Sequence, residues 1–350
     1  MSSQSQKAQS ADLGSATSPL VLICVLNYRT AARTLDAVRN VLECDYPNLH
    51  LLLIENGSGD GSAEVLKTCT APRLELLVSS WNRGFSGGCN LALARALELG
   101  AKYLWLLNSD AETSRDALRT LVQAAESDPA IGLVSPLIAS DTDPSRLSYA
   151  GAFMDLHGTQ EESTADVAEG QQWMLEQPEH FVVWGTALLV RTEFLQRIGG
   201  LDEHLFMYYE DYDLSYRAWV AGYRKVVVPE VVVLHEEKDF SGLMKNIKPH
   251  YFYYWFRNFI LLRRKHGGIL RRARPIWWKV FRALELRHRI REQTELADAI
   301  LMGLWHGALN RGGVYPDQIR VPRLFRVAMD AVTQGTVLRR ARAAGDAPPS

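Results

Sequence analysis

Apolar residues come in short, regularly spaced runs along the first third of the chain. Leu20–Leu26 is unbroken by any polar side chain, as expected of a parallel strand covered on both faces. Thr30–Leu42 instead places Leu35, Val38, Val41 and Leu42 on one helical face. After a turn at Asp45–Asn48 come a strand at Leu49–Glu55, a loop at Asn56–Ser62, a helix at Ala63–Cys69 and a strand at Leu74–Val78. The loop Ser80–Gly88 then leads into a helix at Cys89–Leu99 and a strand at Tyr103–Leu107. This alternation predicts an α/β fold with a Rossmann-like, mostly parallel central sheet.

After Asp110 the rhythm changes. A helix is expected at Asp116–Ser127 and a strand at Ile131–Leu137, then a polar, irregular stretch over Ser140–Gln177. Phe181–Val190 reads as one strand, Arg191–Ile198 as a short helix and Val226–Leu234 as a further strand. From Pro249 the chain reads helical, aromatic and basic, with an interruption at Pro275. The expected organisation is a disordered tail over 1–18, an α/β domain over 19–245, a helical region over 246–344 and a second disordered tail over 345–350.

In parallel sheets ligands bind beyond the carboxyl ends of the strands. The loops there carry Asn27, Glu55, Asn82–Gly88 and Asn108–Asp110. The first strand is followed by Asn27-Tyr-Arg-Thr30, so neither a dinucleotide fingerprint nor a P-loop is present. Gly84, Gly87 and Gly88 serve either as turn residues or as a tight loop that lets backbone approach a sugar nucleotide. Arg83 then faces a diphosphate or stands in solvent. Asn108-Ser-Asp110 is either a turn or a cation-holding carboxylate at the mouth of a buried strand. His235 is either a surface residue or a metal ligand. Glu210, Asp211 and Asp213 either complement a helix dipole, with Asp213 paired to Arg217, or supply a base. Taken in order, the two acidic groups suggest metal-assisted transfer of a phosphate-activated group.

Composition narrows this only a little. With 47% hydrophobic and 23% charged residues the chain is globular, and a net charge of -1 gives no reason to expect nucleic acid. Cys24, Cys44, Cys69 and Cys89 form no Cys-x-x-Cys pair, which fits a reduced compartment. The start lacks a signal peptide's apolar core, and no run approaches the ~18 residues of a spanning helix. A cytoplasmic location is therefore expected. Between Arg257 and Arg291, Glu285 is the sole acid among many Arg and Lys. Tyr251–Phe256, Trp277, Trp278 and Phe281 flank or lie within that basic run. They have three readings: docking on the anionic inner face of a membrane, packing of the helical region onto the α/β domain, or a homodimer interface.

Six segments, in order, resemble the family 2 glycosyltransferases of GT-A fold. They are Leu26-Asn-Tyr28, Ile54-Glu-Asn-Gly-Ser-Gly-Asp-Gly-Ser62, Asn82-Arg-Gly-Phe-Ser-Gly-Gly-Cys-Asn90, Leu107-Asn-Ser-Asp110, Gly199-Gly-Leu-Asp-Glu203 and Glu210-Asp-Tyr-Asp-Leu-Ser-Tyr-Arg217. Together with Tyr254-Trp-Phe-Arg-Asn258 and Arg264-Lys-His266 they are similar to bacterial rhamnosyltransferases of cell-surface polysaccharide assembly. The resemblance implies inverting transfer of a sugar, first L-rhamnose from dTDP-rhamnose, onto a cell-surface glycan or lipid-linked acceptor. A UDP-sugar-dependent hexosyl- or galactofuranosyltransferase and an inactive sugar-nucleotide-binding scaffold are the alternatives. It further implies Mg²⁺ or Mn²⁺ on Asp110, with His235 completing the site, and Asp211 as catalytic base beside Glu210. Nucleotide-sugar contacts are expected at Asn27, Tyr28, Glu55, Asn82, Arg83, Gly84, Phe85, Asn108 and Asp110, with Glu55 toward the base. Acceptor contacts are expected at Trp184, Gly185 and Thr186.

Overall fold

The computed structural model describes residues 18–236, 247–267 and 273–343, with side chains of the last helix described through 335. The expected tails (Ser18 apart), the domain boundary at 245, and Arg271 and Arg272 of the basic run lie outside the described residues.

Four strands, β1 (Val21–Asn27), β2 (Leu49–Asn56), β3 (Leu74–Ser79) and β4 (Tyr103–Asn108), form the parallel half of the main sheet in the order β3-β2-β1-β4. Helices α1 (Ala31–Leu42), α2 (Ser62–Leu66) and α3 (Gly84–Glu98) connect them. Val21, Leu22, Ile23 and Val25 are wholly buried, which is why β1 shows no polar alternation. Register sets Asn27 beside Glu55 and Leu26 beside Asn108, so the polar strand ends share one edge.

Beyond β4 come β5 (Ala111–Thr113), α4 (Ala117–Glu126), β6 (Ile131–Ser140), β7 (Leu147–Tyr149), β8 (Gly151–Met154), β9 (Glu161–Thr164), α5 (Val167–Glu176), β10 (Phe181–Val182), β11 (Ala187–Arg191), α6 (Thr192–Ile198), α7 (Glu210–Val220) and β12 (Arg224–His235). The main sheet continues as β4-β11-β6-β12-β5, with β11 antiparallel to both neighbours and β12 parallel to β6. A second, 3-stranded sheet runs β10-β8-β9.

Four expectations are corrected here. Ser140–Gln177 is not irregular but carries β7, β8, β9 and α5. Every residue of β8 is buried and β9 is polar, so neither shows the alternation that marks a half-buried strand. Phe181–Val190 is two strands in different sheets, parted at Trp184–Thr186. Gly87 and Gly88 lie inside α3, whose first residue is Gly84. A Cβ at Gly88 would fall 2.5 Å from Leu26 Cδ1, so the small residue serves packing of α3 on β1. Pro275 does not interrupt a helix. It occupies the first turn of α9, where no backbone donor is needed.

The C-terminal helices are α8 (Pro249–His266), α9 (Ala273–Arg289), α10 (Thr294–Ala308) and α11 (Arg323–Ala343). Phe259 and Leu262 of α8 belong to the main core, while Phe252, Phe256 and Ile260 share a second core with Val280, Leu284, Ile300 and Leu304. Thus α8 joins the helices to the sheet. Phe252, Tyr253, Tyr254 and Phe256 are buried, and Trp255, Trp277, Trp278 and Phe281 are exposed. Among the described residues no helix is long and apolar enough to cross a membrane.

Candidate active site

The ends of β1 and β2 hold their own loops. Asn27 is wholly buried. Its Nδ2 donates to Ser58 Oγ at 3.3 Å, and its Oδ1 accepts from Thr34 Oγ1 at 2.8 Å and from the Thr30 amide at 3.3 Å. The buried Glu55 carboxylate accepts from the amides of Gly57 at 3.1 Å and Ser58 at 2.7 Å. Tyr28 stands outside this scaffold, 37% exposed, with the Arg29 guanidinium 5.1 Å from its ring centre.

A second scaffold shapes the entry to α3. Asn56 Nδ2 donates to Asn82 Oδ1 at 3.2 Å and to the Gly84 carbonyl at 3.0 Å, while its Oδ1 accepts from the Arg83 amide at 3.1 Å. Asn82 Oδ1 also accepts from the Gly84 amide at 2.8 Å. Gly84 has φ +71, and a Cβ there would meet the Phe206 carbonyl oxygen at 2.4 Å, so only glycine fits. Arg83 rises over Trp81, 4.4 Å from the ring centre. Asn56, Trp81 and Phe206 escaped the sequence reading, although Asn56 lies within the quoted Ile54–Ser62 segment.

The other half of the site is built by β5 and β12. Their pairing sets His235 opposite Ala111, next to Asp110. His235 Nε2 lies 3.3 Å from Asp110 Oδ1 and 3.2 Å from Asn108 Nδ2. One ring nitrogen thus faces both a carboxylate and an amide. An oxygen and a nitrogen donor at this spacing can occupy adjacent corners of a divalent cation's shell. Among the described residues no group of three His, Cys, Asp or Glu is placed to hold a metal ion. The pair by itself offers a cation one carboxylate oxygen and one imidazole nitrogen.

Backbone links that corner to the acidic cluster. The Asn108 amide donates to the Thr186 carbonyl at 2.9 Å, and the neighbouring Gly185 amide donates to Asp211 Oδ2 at 3.4 Å. Trp184 is stacked on Tyr149, with ring centres 4.4 Å apart. A Cβ at Gly185 would lie 3.6 Å from Phe85 Cε1 and 3.9 Å from Asp211 Cβ. Phe85, the Trp184–Thr186 corner and Asp211 therefore meet. Asn27 and Glu55 stand at the same sheet edge but within the protein.

The three carboxylates differ sharply. Glu210 is buried, and its Oε2 has no hydrogen-bond partner among the described residues. Burial raises its pKa, and the adjacent Asp211 charge adds to the rise. Burial also raises the pKa of Asp211, partly offset by the amides of Tyr212 and Gly185. Asp213 goes the other way. Burial alone would raise its carboxyl, but His266, Arg217 and Lys265 outweigh that and hold it down to about 2. Their nitrogens lie at 2.6, 2.7 and 2.8 Å.

A mixed α/β sheet whose polar strand ends share one edge, with Asp110 and His235 at one corner and Asp211 at a helix start, is the architecture of a glycosyltransferase of GT-A fold. Residues 20–199 match glycosyl transferase family 2, and the chain belongs to that family. It is 29% identical over 264 residues to the N-acetylglucosaminyl-diphospho-decaprenol L-rhamnosyltransferase of Mycobacterium tuberculosis, covering 70% of this chain and 84% of the relative. It is 22% identical over 258 residues to the dTDP-rhamnosyl transferase RfbF of Shigella flexneri, covering 72% and 83%. The fold matches that of the mannosyltransferase PcManGT from Pyrobaculum calidifontis, solved with GDP-Man and Mn²⁺. The TM-score is 0.52 at 18% identity, over 83% of this chain and 74% of that one.

Proposed function

We propose that this glycosyltransferase moves L-rhamnose from dTDP-rhamnose, with inversion, onto a glycan or lipid-linked acceptor. The observation that carries the reading is the backbone path from Asn108 through Thr186 and Gly185 to Asp211. It links Asp211, the base in this reading, to the strand end that carries Asn108 and leads to Asp110. The names of the two relatives support rhamnose and, for the first, a lipid-linked acceptor.

Asp211 takes the proton of the acceptor hydroxyl as that oxygen attacks the anomeric carbon, and the bond to the nucleoside diphosphate breaks. A single displacement inverts the centre and needs no protein nucleophile. The raised pKa makes Asp211 a stronger base than an exposed carboxylate. Burial and the neighbouring Asp211 charge favour the protonated form of Glu210, which limits the negative charge beside the base. Asp110 and His235 would hold Mg²⁺ or Mn²⁺, which when bound neutralises charge on the departing diphosphate. Asn108 faces the same corner as a donor to ribose or phosphate, and Tyr28, Arg83, Gly84 and Phe85 line the approach. Trp184–Thr186 carries the acceptor. Asn27, Glu55 and Asn82 shape these loops from beneath, with the Glu55 corner nearest the base.

The protein works in the cytoplasm, and a lipid-linked acceptor brings it to the membrane. The exposed face of α9 makes that contact. The test is nucleotide release from dTDP-rhamnose, UDP-sugars and GDP-sugars, with and without Mn²⁺. Release is expected from dTDP-rhamnose, with Asp110→Ala abolishing the Mn²⁺-dependent part of donor affinity. Preference for a UDP-sugar, or no release from any donor, would reject the rhamnose reading.

A further inference from the structure

Three aromatic residues ahead of the acidic cluster have left-handed backbone: Phe206 at φ 67, Tyr208 at 66 and Tyr209 at 67. Bulky L residues rarely adopt this conformation. It turns successive carbonyls to different sides, and each has a partner. The Phe206 carbonyl accepts from the Ser86 amide of α3 at 3.2 Å. Those of Leu205, Met207 and Tyr208 converge on one group, Asn258 Nδ2, at 2.9, 2.7 and 2.8 Å.

The Asn258 amide is itself held in one orientation. Arg257 Nε donates to Asn258 Oδ1 at 2.8 Å, which turns the NH₂ group toward the carbonyls. Arg257 Nη2 donates to the Leu205 carbonyl at 2.7 Å, and Nη1 to the Gly313 carbonyl at 2.5 Å. Both side chains are wholly buried, and Arg257 makes no ion pair among the described residues. Its charge rests on carbonyls and on the rings of Tyr253 and Tyr254, with ring centres 4.9 and 4.8 Å away. Anchoring α8 does not require a buried guanidinium, since Phe252, Phe256 and Phe259 already pack it into two cores. Arg257 also reaches Gly313 and the Tyr253 hydroxyl, but every backbone contact of the Asn258 amide falls on the Leu205–Tyr208 loop, which runs directly into Asp211.

We propose that Asn258, oriented by Arg257, is a positioning residue for the transfer step: it fixes the left-handed loop that aims Asp211 at the acceptor. The inference rests on Asp211 being the base. Loss of the clamp lets the loop relax, and a displacement of about 1 Å at a reacting group costs roughly 10²-fold in rate.

The test is a double-mutant cycle on kcat using Asn258→Ala, Asp211→Asn and the pair, with donor Kd by calorimetry and folding by thermal unfolding. Asn258→Ala should lower kcat by roughly 10²-fold while donor Kd stays near wild type. The double variant should be no slower than Asp211→Asn alone, because a residue acting through Asp211 has nothing left to position. Arg257→Lys keeps the charge but cannot hold the amide and two carbonyls at once, so a smaller fall in kcat is expected. It also serves where Asn258→Ala does not fold. Losses that multiply in the double variant, or wild-type kcat in a folded Asn258→Ala or Arg257→Lys, would overturn the proposal. Near-normal turnover by Asp211→Asn alone would instead remove the base assignment, and this inference with it.

Discussion

Asp211 and Asp213 are two residues apart and look equivalent in the sequence, yet their surroundings separate them. Asp213 is a structural anchor. Its folded pKa is depressed, so its stabilisation is complete above the unfolded value of about 4 and is lost as pH falls through about 2. Asp213→Asn should cost about 3 kcal/mol at neutral pH, and the gap to wild type should close in acid. Denaturant unfolding across pH measures this, and a gap that persists to the lowest pH would remove the ion-pair account. Asp211 has the opposite sign. As a base it must be deprotonated, so kcat should fall as pH drops through its raised pKa, and Asp211→Asn should lose roughly 10²–10⁴-fold in kcat. Sequence spacing revealed Arg217 as a partner of Asp213. It did not reveal Lys265 and His266, which arrive from a helix some fifty residues later. Glu55 and Asn27 show the same limit, since their place at the sheet edge was legible and their burial beneath the loops was not.

At the level of elements, the parallel half of the sheet was readable because each strand is a continuous apolar run bounded by turn residues. The second half was not. β8 lies wholly buried, β9 is polar, and β11 pairs antiparallel between two strands far apart in sequence. The start of α3 gives a direct test of how the halves meet. Gly84 needs positive φ and touches the Phe206 carbonyl, so Gly84→Ala meets both backbone strain and a clash with main chain. It should destabilise the protein by about 2 kcal/mol, seen as a lower Tm. A control, Gly100→Ala, shares the positive φ but meets nothing within 4 Å. Its smaller loss isolates the contribution of the clash, and equal losses would show that strain alone accounts for both.

For the whole molecule, the aromatic and basic C-terminal region divides between two tasks. Tyr253 and Tyr254 pack with Phe206 of the α/β domain, as the packing reading has it, whereas Phe252 and Phe256 pack among the C-terminal helices themselves. Of the exposed ones, Trp255 lies on α8, and the rest line a face of α9 where Arg274, Trp277, Trp278, Phe281 and Arg282 stand together, with Trp277 54% and Phe281 43% exposed. Indole rings favour the headgroup region and guanidinium groups favour anionic lipid. Flotation with anionic vesicles is therefore expected, weakened by salt, by Trp277→Ala with Trp278→Ala, and by Arg274→Glu with Arg282→Glu. Equal binding to neutral vesicles would discard the electrostatic part, and no flotation would discard the contact. The clamp on the Leu205–Tyr208 carbonyls has a consequence for synthesis as well. Domains form in the order in which they leave the ribosome, and α8 emerges after every strand of the main sheet. Until α8 has emerged, the Leu205, Met207 and Tyr208 carbonyls lack the amide that gathers them, and the main core lacks Phe259 and Leu262.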